Sequence, residues 1–382
     1  MRRTVPALVA MLAVACAVPT ARPAAAPSAP AAPPVAQATA PSAPGGHWVE
    51  VERLLAAARA AGETQLDLSW AEDTLGGHEG ARKLGDLFNR LYGTDVKINF
   101  TPGRLDQITL RLTQEASLDR RPFVDLFLGS ESHVGALYQQ NVLDPYDYTQ
   151  LSPRITPDML APEGVAVQAA SRVGGLSYNT NLVLPAEVPT HLEDVLNPKW
   201  KGLIATTQTN IGFDSVAYRP EWSPDRMRAF MRRLSEQAGG LIRGGEQERI
   251  ATGEFVMLVL NTGSQEVHKL QARGAPVAHA IPDDASTINF HYLAVPRGSA
   301  HPNLAKLFVN AMLSEEGQRL VYETAYYDLH KLPGSHTAAE LAEVQARGAT
   351  PLEVDVQFTL AHPDIAQLRD DLFKIISDQP RS

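Results

Sequence analysis

One cysteine, Cys16, among 382 residues rules out an intramolecular disulfide and any cysteine-based metal cluster. Aromatic residues make up only 7%. The most apolar stretch, Val5 to Ala15, is broken by Pro6 and is too short to cross a bilayer as a helix. Positive charge is scarce as well. The 34 Lys and Arg residues against 43 Asp and Glu leave a net charge of -9, which argues against nucleic acid or an anionic membrane surface as a partner. Catalytic signatures are missing too: there is no H-E-x-x-H, no P-loop, no G-x-S-x-G elbow, and no cysteine nucleophile outside the N-terminal segment. The 11 histidines lack metal-ligand spacing, and His78-Glu79 fits a helix cap better than a catalytic pair. No enzyme activity, metal or cofactor is expected. What the chain does have is 44% hydrophobic and 20% charged residues, enough for one large or two medium globular domains.

The N-terminus carries the clearest local signal. Arg2 and Arg3 precede the Val5 to Ala15 stretch, and small residues lead into Cys16. Residues 1–15 therefore read as a secretory signal. Ala13-Val14-Ala15-Cys16 resembles a bacterial lipobox, although Ala13 stands where such motifs usually carry Leu. The resemblance implies a lipidated Cys16 as first mature residue, with plain signal cleavage as the alternative. From Ala17 to Gly46, 12 alanines and 8 prolines leave nothing to build a core. Residues 16–46 are thus read as an extended linker, reaching up to roughly 90 Å at about 3.1 Å per residue. Together these features predict a periplasmic or cell-surface protein, lipid-anchored through Cys16.

The remainder alternates between two hydrophobic periods. Val49 to Ala61 has helical spacing and stops at Gly62, and Leu66 to Trp70 reads as a strand. Ala81, Leu84, Leu87, Phe88 and Leu91 recur on one helical face that Gly93 closes. Val96 to Phe100 and Val124 to Leu128 follow as strands, the second of the buried parallel kind. The same alternation returns in strand Leu203 to Thr206, helix Pro224 to Ala238, strands Phe255 to Leu260 and Phe290 to Val295, and helix Asn303 to Leu313. Such a pattern predicts an α/β protein with mostly parallel sheets flanked by helices.

Several segments then become recognisable. They are Gly175-Leu176-Ser177-Tyr178-Asn179-Thr180-Asn181, the stretch Leu192 to Gly202 (LEDVLNPKWKG), Gly253-Glu254 before an apolar strand, and His301 to Phe308 followed by Leu313 to Gln318. With the opening helix Leu54 to Gly62, they resemble, in order, the bacterial extracellular solute-binding proteins that include ferric-iron, polyamine, thiamine and phosphonate binders. The resemblance implies a two-lobed periplasmic-binding-protein fold of the type II kind, closing on its ligand by a hinge. It implies lobe 1 at 47–165 and 278–335, lobe 2 at 166–277, and flanking helices at 336–382. It also implies the substrate-binding component of an ABC importer: a monomer whose partners are a small solute and an ABC permease in the inner membrane. A sensor feeding a membrane signalling partner, or an enzyme on the same scaffold, would share the fold.

In open α/β sheets, ligands bind beyond the carboxyl ends of the strands. That rule singles out Trp70, Glu72 and Asp73 after the first strand, and Ser130, Glu131 and Ser132 after the third. It also singles out Thr207, Thr209 and Asn210, and Asn261, Thr262 and Ser264, in the second lobe. Hydroxyls and amides beside helix N-termini suit an anionic solute, and they equally suit helix caps. Ferric-iron members typically carry a tyrosine pair where this chain reads Asn261-Thr262-Gly263-Ser264, which weakens an iron assignment. The adjacent pair Tyr326-Tyr327 lies elsewhere and suits packing better than ligand contact. Arg243-Gly244-Gly245 could hold an anion or form a solvated turn.

Overall fold

The computed structural model describes residues 46–207, 212–243, 245–261 and 263–377. It opens with helix α1 (Gly46–Ala61), strand β1 (Gln65–Ser69), α2 (Gly77–Tyr92), β2 (Lys97–Phe100), α3 (Leu105–Ser117), β3 (Leu126–Ser130), α4 (Glu131–Gln139) and β4 (Val167–Val173). Helix α2 buries Ala81, Leu84, Leu87 and Phe88 along the stripe read from the sequence. It ends where Gly93 turns left-handed (φ 61°) and donates its N–H to Asn89 O. A β-carbon at that φ would be strained, so glycine sets the stop.

The chain then builds β5 (Gly175–Asn179), β6 (Ile204–Thr207), α5 (Phe213–Val216), α6 (Pro224–Gln237), β7 (Gly240–Ile242), α7 (Glu248–Ala251), β8 (Met257–Asn261), α8 (Gln265–Ala272) and β9 (Val277–Ala280). Helix α6 starts on Ser223, whose hydroxyl accepts the Arg226 N–H, with Pro224 preset at the first helical position. The last part contributes β10 (Thr287–Ala294), α9 (Pro302–Leu313), α10 (Glu315–Ala325), α11 (His336–Ala346), β11 (Leu352–Val354), α12 (Val356–Ala361) and α13 (Ile365–Ser377).

These strands form two mixed sheets. In the first, the order is β11-β10-β3-β1-β2, with β4 on β10. β1 runs parallel to β2 and β3, and β10 runs antiparallel to β3 and β4. In the second, the order is β7-β6-β8-β5-β9, with β6 parallel to its neighbours and β5 antiparallel to β8 and β9. Separate apolar cores back the two sheets, so each sheet with its helices is a lobe. Because β4 pairs with β10 in the first sheet, the outward crossing falls at Gly174, later in the chain than residue 166. The return crossing lies between β9 and β10. At these crossings the segments pack closely: Gly174 N donates to Thr287 O at 3.0 Å, a β-carbon on Gly174 would sit 2.7 Å from Thr287 Oγ1, and one on Gly175 2.4 Å from Ala280 O.

A third crossing comes from the C-terminal segment. β11 extends the first sheet beside β10, and α12 packs on α4 in lobe 1. The chain then passes over to lobe 2, where Leu368, Leu372 and Ile376 of α13 join the core around Phe213 and Phe230. No helix among the described residues is long and apolar enough to cross a membrane.

Candidate functional site

The carboxyl ends of β1 and β3 lead into Ala71 and Glu131 on the lobe 1 side, and β8 ends at Asn261 on the lobe 2 side. A cavity of about 1220 Å³ opens beside Ala71. Ala71, Glu72 and Asp73 line it after β1, Pro102 to Asp106 after β2, and His133 from α4. From lobe 2, α13 adds Arg369, Asp370 and Phe373.

Near His133, though not among the residues lining this cavity, lies a charged group in lobe 1, Arg172 with Glu131. Arg172 of β4 stands opposite Asn289 of β10. Its Nη2 is 3.9 Å from Glu131 Oε2, a loose pairing, and its Nε is buried with no hydrogen-bond partner among the described residues. A methyl on Gly263, in the lobe 2 loop after β8, would lie 3.3 Å from Arg172 Cβ, so lobe 2 approaches this side chain at its base. Glu131 accepts hydrogen bonds from Asn289 Nδ2 at 3.0 Å and Phe290 N at 3.4 Å. Burial raises its carboxyl above the usual range, against the pull of Arg172. Burial also lowers His133 to about 4, helped by the charges of Arg172 and Arg369, and burial with Arg172 keeps His291 well below its ordinary value. Neutral imidazoles beside a loosely paired guanidinium make this a place where an anion gains an electrostatic partner.

The residues singled out from the sequence divide by environment. Asp73 and Glu72 reach the cavity, Glu72 also holding His78 Nδ1 at 2.6 Å. Trp70 does not: its side chain is fully buried in the lobe 1 core, 4.7 Å from the Phe100 ring. Glu131 does not line the cavity; it is buried, paired loosely with Arg172 and bonded to Asn289 and Phe290 N. Ser130 Oγ lies 2.7 Å from His133 Nδ1 and 3.0 Å from Ser132 Oγ. It precedes α4 without capping it through its side chain, and Ser264 likewise precedes α8. Asn261 is spent inside lobe 2, donating from Nδ2 to Ser177 Oγ, and Ser264 Oγ donates to Glu340 Oε2 at 2.8 Å. Thr207 Oγ1 is buried with no partner among the described residues. Thr209, Asn210, Thr262 and Cys16 lie outside the described residues. Tyr327 is buried, its hydroxyl accepting the Leu75 N–H at 2.8 Å.

Sequence reasoning missed Arg172, His133 and the α13 residues. Arg172 did leave a trace, as the one charge in the otherwise uncharged strand VQAASRV. The histidine and α13 become visible only once distant segments meet.

Among the described residues, one cluster has metal-ligand proximity: Asp67, Asp125 and His301, at the opposite ends of the lobe 1 strands. Its valences are taken. Asp125 Oδ1 accepts the N–H groups of Ala300 and His301 and the Ser299 hydroxyl, while Oδ2 accepts Asp67 N and lies 2.7 Å from His301 Nδ1. This network ties the start of α9 to the sheet.

Comparison with known proteins agrees with the architecture. A family model described as bacterial extracellular solute-binding protein matches residues 83–351. The major ferric iron-binding protein of Neisseria meningitidis serogroup A is 25% identical over 258 residues, covering 63% of this chain and 74% of that protein. Iron-bound HitA from Pseudomonas aeruginosa superposes with a TM-score of 0.66 at 17% identity, covering 81% of this chain and 99% of that structure. The spermidine/putrescine substrate-binding protein PotD from Streptococcus pneumoniae gives 0.62 at 16% identity, over 81% and 100%. Two lobes joined by crossing strands, a cleft at their strand ends and a match across most of the chain make this protein a member of the bacterial extracellular solute-binding family, a binder and not an enzyme.

Proposed function

We propose that the chain is the solute-capturing component of an ABC importer, and that it takes a small polar solute carrying an anionic group, such as a phosphonate, phosphate ester or carboxylate. The observation that carries this reading is Arg172. Its side chain is approached by Gly263 of lobe 2, its guanidinium is loosely paired to Glu131, and its buried Nε has no partner among the described residues. Guanidinium groups recognise phosphate and carboxylate oxygens in a bidentate fork, which an isolated lysine cannot do. Thr207 Oγ1, buried with no partner among the described residues, would be a second donor for such a ligand. The solute would pass to an inner-membrane permease, and a lipid on Cys16 would keep the protein near it.

A second reading, a cationic or iron-containing cargo, draws support from Glu72, Asp73, Asp106 and Asp370 around the cavity and from the ferric iron-binding relative. The two separate in a thermal-shift screen of inorganic phosphate, methylphosphonate, glycerol 3-phosphate, citrate, spermidine and ferric citrate. At 100 times its dissociation constant a ligand adds about 2.7 kcal/mol of stability. The expected result is a shift with one anionic class, lost in Arg172→Gln. A shift with spermidine alone, or a visible charge-transfer band with ferric ion and no anion, overturns the anionic assignment.

A further inference from the structure

We propose that the cleft face of α13 and the 102–106 segment leading into α3 are the two halves of an interface that forms when the lobes close. This rests on the two-lobed binding reading and adds an element lying beyond the family-matched residues 83–351.

Helix α13 has two distinct faces. Ile365, Leu368, Leu372 and Ile376, three to four residues apart, are buried, the last three in the lobe 2 core. Arg369, Asp370 and Phe373 line the cavity instead. A helix that only covered a core would turn polar side chains to water there, yet Phe373 is a 47% exposed aromatic in a cavity wall. The lobe 1 wall of the same cavity offers Pro102, Arg104, Leu105 and Asp106. The two walls match in kind: apolar Phe373 has Pro102 and Leu105, Arg369 has Asp106, and Asp370 has Arg104.

The two loop charges now have local partners that can be exchanged. Arg104 and Asp106 pair with each other at 3.1 Å while 76% and 60% exposed, a weak contact in water. Arg369 is held differently, by fully buried Asp214 at 2.6 Å, and keeps 38% of its side chain exposed. That anchor fixes α13 to lobe 2, so closure carries its outer face across as a rigid wall. There is room for the movement. The cavity of about 1220 Å³ exceeds the roughly 300–1,000 Å³ of small-ligand pockets.

The test uses the full chain with Cys16→Ser, carrying Leu105→Cys and Phe373→Cys, treated with a mild oxidant. Leu110→Cys with Phe373→Cys serves as control, since Leu110 is exposed on α3 outside the cavity. A disulfide needs Cα atoms within about 7 Å, so the 105/373 pair should cross-link at least about tenfold faster than the control. The cross-linked protein should have a smaller radius of gyration by small-angle scattering. Exchanging the loop charges (Arg104→Asp with Asp106→Arg) should slow the cross-link several-fold, because like charges then face each other. No cross-link, equal rates in both pairs, cross-linking without compaction, or indifference to the charge exchange overturns the interface. The screen described above scores solute binding separately. Cross-linking intact with no binder in that panel removes the solute reading alone, and a binder without cross-linking removes only the interface.

Discussion

Glu340 of α11 lies 3.0 Å from His268 Nε2 and accepts the Ser264 hydroxyl at 2.8 Å. α11 is packed into lobe 1 through Leu341 and Val344, whereas Ser264 and His268 belong to lobe 2, so this carboxylate ties the lobes together beside the hinge. Burial acts to raise the Glu340 carboxyl, but the hydrogen bond from His268 and the nearby His279 ring hold it well below its usual range.

That contact predicts a pH window. The Glu340 hydrogen bond raises His268, so its stabilisation is complete below the ordinary histidine value of 6.5 and is lost as pH climbs through the raised value. Glu340 is lowered, so its contribution is complete above 4.5 and is lost as pH falls through the depressed value. Both are fully present between 4.5 and 6.5. The Tm difference between wild type and His268→Gln should be largest there and shrink toward pH 8 and beyond. A difference that does not change with pH sinks the argument. His133 acts in the opposite sense: burial, Arg172 and Arg369 keep it neutral down to about 4, so it costs stability as pH drops below 6.5. His133→Gln should flatten the acid limb of the Tm profile.

Arg369→Leu should cost about 3 kcal/mol, because it leaves the buried Asp214 carboxylate without its cation. Asp214→Asn in the same chain should recover most of the loss. The amide oxygen can still accept the Gly212 and Ser215 N–H groups that Asp214 Oδ1 now holds at 3.1 and 2.8 Å. Urea unfolding of the single and double variants measures both values, and a recovery of nothing would show that the pair is not coupled.

Thr207 and Asn261 should separate under mutation, although both sit at strand ends. Thr207→Val removes a buried hydroxyl that has no partner among the described residues, so the free protein should keep its stability. Solute affinity should weaken by about 1–3 kcal/mol if the hydroxyl donates to a charged ligand. Asn261→Ala breaks the bond to Ser177 inside lobe 2 and should lower Tm in the absence of solute. Calorimetric titration beside thermal melts reads the split, and the reverse pattern would assign ligand contact to Asn261.

Cys16→Ala should move the protein from the membrane fraction to the soluble periplasmic fraction, because stable anchoring depends on acyl chains worth about 0.8 kcal/mol per buried methylene. Wild type found soluble would remove the lipid while leaving export untouched.

What the sequence determined by itself was whatever depends on near neighbours. The α2 stripe and its Gly93 stop, the Ser223-Pro224 start of α6, and the apolar runs at β3 and β8 are written in spacings of a few residues, and the backbone obeys them locally. The loops at the strand ends were legible for the same reason, since polar residues break apolar runs where the chain leaves the sheet. Tertiary structure decided which of those polar groups face the cleft. Trp70 turned into the core, Ser264 was taken up by Glu340, and Asn261 by Ser177. It also brought Arg172 toward Gly263 and His133 toward Arg369, across 91 and 236 residues of chain, and set α13 as a wall of the cavity. No local periodicity encodes such meetings, because they follow from how β4, β10 and the C-terminal segment pair and pack between two lobes, and that is settled by burial summed over the whole chain.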